Sequence, residues 1–313
     1  MADQLTRSSN KLRPHAIMST GDNFYFFGVD NVEDQRFQDT FEDTYIDQSL
    51  VNVPWYITAG NHDHYGNVSA QIEYTTRDRY QRWKFPNHYY SAKYELINND
   101  TSTKIDFLFL DTVVMCGNTP VDSLLKKSLL GIGSDQPSTP PDPEMSPRHW
   151  QWIEQTLRAS EAHYIFVIGH FPVYSAGAHG NINCMKDRLK PILERFNVTA
   201  YFAGHDHNLQ HIAVSMPINA STTTTESESN LQQRKIHYVV SGMGGYTDDD
   251  KSGIANVPPD SLQYFYPDLS ILGRIGLAHG GLVTVKVKRN HAIVRFVNGA
   301  DRLLHEFVAQ PRY

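Results

Sequence analysis

The sequence predicts an α/β fold, on three observations. Short apolar runs rich in β-branched residues recur along the chain, helical patterns stand between them, and several runs end in glycine followed by a metal-type ligand. Open α/β sheets bind ligands at the carboxyl ends of their strands, so the third observation also indicates where function lies.

Taken in order, Arg7 to Arg13 reads as a polar helix leading into a strand over Ala16 to Ser19. Further strands are expected at Trp55 to Ala59, Ile105 to Leu110, Tyr164 to Ile168, Thr199 to Ala203 and His237 to Ser241. Helices are expected over Trp150 to Arg158 and Lys186 to Phe196. Leu282 to Val287 and Ala292 to Val297 alternate apolar and polar residues around Arg289-Asn290, the pattern of a β-hairpin. Proline-rich Gly131 to Pro147 reads as a flexible loop, and threonine-rich Asn219 to Gln233 as a polar insertion. No linker divides the 313 residues, so one domain over 1–313 is expected.

Composition narrows the partners. The net charge is −6 and Lys/Arg clusters are absent, whereas nucleic acid demands a basic face. No apolar stretch approaches a spanning length, and the start, Met1 to Arg7, lacks the apolar region of a signal peptide. Neither nucleic acid nor membrane is expected as a partner. Cys116 and Cys184 leave two readings open, reduced thiols in a cytosolic protein or one disulfide in a secreted one. Sequons at Asn67, Asn99, Asn197 and Asn219 are candidate glycosylation sites and favour secretion.

Four glycine-led motifs stand out: Gly21-Asp22-Asn23-Phe24-Tyr25, Gly60-Asn61-His62-Asp63, Gly169-His170 and Gly204-His205-Asp206-His207. Glycine tolerates the backbone angles of a sharp turn after a strand, and the side chains beyond it then face the crevice. Oxygen donors mixed with imidazole suit a transition-metal centre rather than calcium. Asp22, Tyr25, Asn61, His170, His205 and His207 are therefore read as one metal site. Asp63 and Asp206 are read as groups that orient histidines or cap backbone.

With Asn52-Val53-Pro54-Trp55, Leu110-Asp111-Thr112-Val113, Cys116-Gly117-Asn118, Val173-Tyr174-Ser175, Ala178-His179-Gly180 and Ser241-Gly242 in order, the chain resembles the purple acid phosphatases of the tartrate-resistant type. These belong to the calcineurin-like metallophosphoesterases, and the resemblance covers nearly the whole chain. It implies two packed mixed β-sheets flanked by helices, the metallophosphoesterase sandwich. It also implies an acid phosphatase that hydrolyses phosphate monoesters by attack of a metal-bound hydroxide. Asp22 would bridge two metals, Tyr25 and His207 would bind ferric iron, and Asn61, His170 and His205 would bind divalent iron, zinc or manganese. His62 and His179 would contact the phosphate and help protonate the leaving group. The same resemblance pairs Cys116 with Cys184 in a disulfide and places the protein in a secreted or lysosomal compartment. Phosphoproteins or nucleotides would be substrates, and a processing protease would raise activity by cutting the Gly131 to Pro147 loop.

The chain also departs from that pattern. Family members begin with a signal peptide and a first strand whose Gly-Asp aspartate binds the ferric ion. Ahead of Asp22 stands Asp3, with no apolar run before it and no glycine beside it. An N-terminally truncated fold is thus expected, with four protein ligands for the second metal and three for the first. Two readings follow: an incomplete form of a secreted enzyme, or a non-catalytic glycoprotein or pseudoenzyme retaining one divalent metal.

Overall fold

The computed structural model describes residues 1–98, 101–120, 136–216, 234–267 and 280–313. Its strands are β1 (Ile17–Met18), β2 (Trp55–Tyr56), β3 (Trp83–Lys84), β4 (Tyr90–Asn98), β5 (Thr101–Phe109), β6 (Tyr164–Ile168) and β7 (Ala200–Ala203). They continue with β8 (Leu209–Ser215), β9 (Lys235–Ser241), β10 (Leu262–Tyr266), β11 (Gly281–Val287), β12 (Ala292–Asn298) and β13 (Leu303–Ala309). The α-helices are α1 (Ala2–Leu12), α2 (Gln48–Val51), α3 (Val68–Tyr74), α4 (Thr112–Cys116), α5 (Met145–Ala159) and α6 (Lys190–Arg195).

Alternation within the strands builds the central layer. Ile105, Phe109, Tyr164, Phe166, Ile168 and Phe202 enter one apolar cluster, while Leu108, Ile165, Val167, Tyr201 and Ala203 enter another. Strands apolar on both faces belong in a sheet covered on both sides. That sheet has the order β10-β8-β9-β7-β6-β5-β4. Its middle strands β9, β7, β6 and β5 run parallel, and β8, β10 and β4 pair antiparallel toward the edges. Helices α4, α5 and α6 cover one face through Val113, Met115, Trp150, Ile153, Leu157, Ile192 and Leu193. Against the other face pack Ala292, Val294 and Phe296 of β12, with Met18 of β1 and Tyr56 of β2.

The sandwich is therefore present, with a second layer made of two three-stranded sheets: parallel β1-β2-β3 and antiparallel β11-β12-β13. Phe24, Phe37, Phe41, Leu50, Trp55, Ile57 and Trp83 form a third cluster around the parallel sheet. α1, which carries Asp3 in its first turn, is tied to the C-terminal sheet by Gln4 Nε2 donating to Val297 O at 3.1 Å.

β6 and the β11–β12 hairpin stand where the sequence puts them. The expected Lys186 to Phe196 helix is instead a wider π-type turn over Met185–Leu189 followed by α6. Pro191 lacks the N–H that a continuous α-helical ladder needs there. Helix α5 starts at Met145, earlier than expected, and takes Pro147 into its first turn, where proline is tolerated. The Gly131 to Pro147 loop is described only from Gln136 onward. Asn219 to Gln233, including the Asn219 sequon, and Asn99 lie outside the described residues.

Cys116 at the end of α4 and Cys184 form the disulfide that the resemblance implied, across a sequence separation of 68. Closing a loop of that length constrains the unfolded chain by about 4 kcal/mol in the entropic account. No helix among the described residues is long and apolar enough to cross a membrane.

Candidate metal centre

Four chain segments meet beyond the strand ends. β1 and β2 are parallel neighbours, so the turns that follow them, Thr20 to Asp22 and Gly60 to His62, emerge side by side. They approach so closely that a Cβ on Gly60 would lie 2.2 Å from Asp22 Oδ1, and one on Gly21 would lie 2.6 Å from His170 Nδ1. β6 delivers His170 and β7 delivers His205 and His207 to the same place, again as parallel neighbours. Asp22 and His205 both adopt left-handed backbone, with φ of 56° and 68°. That conformation costs a non-glycine residue about 1–2 kcal/mol, and two of the predicted ligands bear it.

All six predicted ligands converge. Tyr25 Oη lies 2.9 Å from Asp22 Oδ2 and 3.0 Å from His207 Nε2. Asn61 Oδ1 lies 2.8 Å from His170 Nε2 and 3.2 Å from His205 Nδ1, and His170 Nε2 is 3.4 Å from Asp22 Oδ2. Asp22 thus touches both halves of the cluster. The backbone N–H of His62 donates to its other oxygen at 3.0 Å.

The donor set fits a metal. His170 Nδ1 donates to the carbonyl of Thr20 at 2.8 Å, which fixes the ring with its Nε2 facing Asn61 Oδ1. An imidazole nitrogen and an amide oxygen set side by side are both donors that a transition-metal ion accepts. His205 Nε2 is buried and has no hydrogen-bond partner, which a neutral core imidazole avoids. Burial, followed by the neighbouring His179 and His170, holds His205 well below the usual histidine range. Burial and then His179 bring His207 down to about 4, so both rings stay neutral and able to ligate. Tyr25 is pushed well above the ordinary phenol range, by burial first and then by Asp22. Its phenolate needs a cation.

The remaining predicted residues frame this cluster. His62 Nδ1 donates to Phe26 O at 2.7 Å, and its ring centroid lies 4.5 Å from that of Tyr25. The ring of His179 lies 4.3 Å from that of His205. Asp63 is fully buried and accepts from Gly60 N at 2.8 Å, Gln71 Nε2 at 2.9 Å and Asn23 N at 3.1 Å, pinning the two turns together. Asp206 accepts from Ser175 Oγ and from the backbone N–H of His179.

Other residues of the centre carried no signal in the sequence reading. Exposed Tyr246 packs its ring 5.5 Å from Tyr25 and 5.6 Å from His207, and Phe26, 57% exposed, stands 6.0 Å from the His62 ring. Asp248 is tied to His207 by a backbone bond, its N–H donating to His207 O at 2.8 Å. These residues lie in turns without periodicity; only Gly244-Gly245, after the matched Ser241-Gly242, marks a turn there.

A mixed α/β sandwich in which Asp22, Tyr25, Asn61, His170, His205 and His207 meet at the ends of parallel strands fits the class of metal-dependent phosphoesterases. The sequence profile of the calcineurin-like phosphoesterase family matches residues 2–209. Tartrate-resistant acid phosphatase type 5 of Homo sapiens is 35% identical over 303 residues, covering 97% of this chain and 81% of that protein. Purple acid phosphatase 4 of Arabidopsis thaliana is 29% identical over 314 residues, covering 98% and 77%. The chain belongs to the purple acid phosphatases within that family, and is a metal-dependent phosphatase of phosphate monoesters. Among solved structures, GAP50, the anchor in the inner membrane complex of Plasmodium, superposes with a TM-score of 0.74 at 20% identity, covering 100% of this chain and 83% of that one. Purple acid phosphatase PPD1 from yellow lupin seeds superposes with a TM-score of 0.55 at 15% identity, covering 98% and 48%. Both share the fold.

Proposed function

We propose that the chain hydrolyses phosphate monoesters, phosphoproteins or nucleotides among them, at a centre of one ferric and one divalent ion. The observation that supports this is the convergence of Asp22, Tyr25, Asn61, His170, His205 and His207 from four strand ends. Asp22 would hold both ions, Tyr25 and His207 would hold the ferric one, and Asn61, His170 and His205 would hold divalent iron, zinc or manganese. When bound, such a pair neutralises phosphate charge and makes a coordinated water nucleophilic.

The chain's own residues do the rest. Phe26 O fixes the proton of His62 on Nδ1 and leaves Nε2 to exchange a proton with the departing alkoxide. His62 packs against Tyr25 and His179 against His205, one beside each half of the donor set. Asp206 positions the His179 backbone, and Asp63 keeps the Gly60 turn against Asp22. Phe26 and Tyr246 offer apolar walls to the organic part of the ester. A secreted or lysosomal setting accords with the disulfide and with exposed sequons at Asn67 and Asn197.

The test loads purified chain with ferric iron and zinc. Visible tyrosinate-to-iron absorption is expected, lost in Tyr25→Phe, together with turnover of a chromogenic aryl phosphate. Divalent metal bound with neither colour nor turnover would sink the catalytic reading and favour the non-catalytic one.

A further inference from the structure

Asp111 follows β5 as directly as the predicted ligands follow their own strands, but without an intervening glycine. β4 and β5 pair antiparallel with Tyr90 opposite Phe109, and the same register carried two residues outward sets His88 opposite Asp111. The turn after Gly60 adds His64. His64 Nε2 lies 2.9 and 2.8 Å from the two oxygens of Asp111, and His88 Nδ1 lies 2.7 Å from Oδ2. One ligand atom from each residue fits within 4.8 Å of the other two. None of the three is in the ligand set of the strand-end centre.

A bare ion pair explains part of this. Asp111 is fully buried, caps α4 by accepting from Val114 N at 3.0 Å, and has its charge balanced by the imidazoles. Burial alone would raise its carboxyl, yet His64 and then His88 hold it far below the usual range. A fourth ring is left over. His149 of α5 is fully buried, and neither of its ring nitrogens has a hydrogen-bond partner. Its ring stacks 4.1 Å from Tyr89, the residue beside His88, and it feels the charges of both Asp111 and His88. A buried polar group without a partner costs about 1–3 kcal/mol. Water held by an ion in this cluster would give it one.

We propose that His64, His88 and Asp111 form a second metal site, mononuclear and separate from the strand-end centre, for zinc or a similar divalent transition ion. Two imidazoles with a carboxylate match zinc, and too few oxygens are present for calcium. Tetrahedral zinc holds such donors roughly 3.4 Å apart, so each ring nitrogen need only draw back slightly from the carboxylate to admit the ion. Binding takes the protons that His64 Nε2 and His88 Nδ1 now share with Asp111. Those protons go to solvent and leave each ring neutral, its remaining proton on the other nitrogen, so affinity falls as pH falls.

The experiment is zinc titration by calorimetry with metal analysis, on the full chain whose strand-end centre is already loaded with iron and zinc. Unaltered protein should take one further equivalent of zinc, releasing protons, and cobalt in its place should give tetrahedral visible bands. In His88→Ala the affinity for that equivalent should drop at least tenfold and the cobalt bands should vanish, while tyrosinate-to-iron absorption and turnover persist. If His88→Ala fails to fold, His88→Gln serves the same comparison. No further equivalent in the unaltered protein, or equal zinc affinity in the variant, overturns the proposal and leaves the strand-end reading untouched.

Discussion

At the strand ends His170, His205 and His207 stand among Asp22, Asn61 and Tyr25, whereas inside the sandwich His211, His237 and His305 stand among Phe296, Phe307 and Tyr264. In the second group His211 Nδ1 meets His305 Nε2 at 2.9 Å and His211 Nε2 meets His237 Nδ1 at 2.9 Å, so the central ring spends both nitrogens on other imidazoles. Phe307 covers it at 3.8 Å between ring centroids. Burial keeps rings of both groups neutral: it brings His211 down to about 2 and His237 to about 4, as it brings His207 to about 4 and holds His205 well below the usual range. The difference lies in the company. The strand-end rings have a carboxylate, an opposed amide oxygen and a nitrogen without a partner; the sandwich rings satisfy one another and pack. Neutral buried histidine is thus a precondition for metal binding and says nothing of metal by itself.

The comparison breaks most sharply at Asp22. Asp22→Asn removes the anion that touches both halves of the donor set, and turnover should fall by at least about 10³-fold with loss of metal. Metal analysis and a chromogenic ester check both, and full rate with both metals kept would refute the bridging assignment. His62→Ala leaves every donor in place. The expectation is a fall in kcat of about 10²-fold with metal content and visible absorption unchanged, measured on one preparation.

The smallest effect sharpens the other half. The unfolded chain has histidines near 6.5, while folded His237 and His211 titrate at about 4 and about 2. As pH falls below 6.5 the unfolded state takes protons that the folded state refuses. Stability should drop by roughly 1.4 kcal/mol per pH unit for each such proton, until the folded value is reached. Urea midpoints between pH 7 and 5 measure this slope. His237→Phe should flatten it by about one proton without altering metal content; an unchanged slope would remove the histidine chain as its source.

Much of this was legible in the sequence because the parallel strands are buried on both faces and read as unbroken apolar runs, as in β6 and β7. Strands with an exposed face or an edge were missed. β4, Tyr90-Ser91-Ala92-Lys93-Tyr94-Glu95, mixes charge into its alternation, and β8 follows so closely on His205-Asp206-His207 that ligand spacing obscures it. The convergence of the donors was readable through strand, glycine and ligand in succession. Asp111 escaped that rule for want of a glycine, and His88 because its position depends on a β4–β5 register that sequence does not display. The Pro191 break shows the same limit, where one missing N–H redirects a helix whose apolar pattern continues.

The close approach at Gly60 and Gly21 has a counterpart at Gly204, where a Cβ would lie 2.8 Å from Thr20 O and 3.3 Å from His170 Nδ1. Each motif leaves empty the space that another motif fills. A substitution at any of these glycines strikes backbone or a donor atom of a different segment, and no rotamer change on its own segment relieves the collision. The segments can therefore drift only in concert: a library that varies one motif alone will return mostly unchanged glycines, and transplanting a single motif into another scaffold carries away none of the fit.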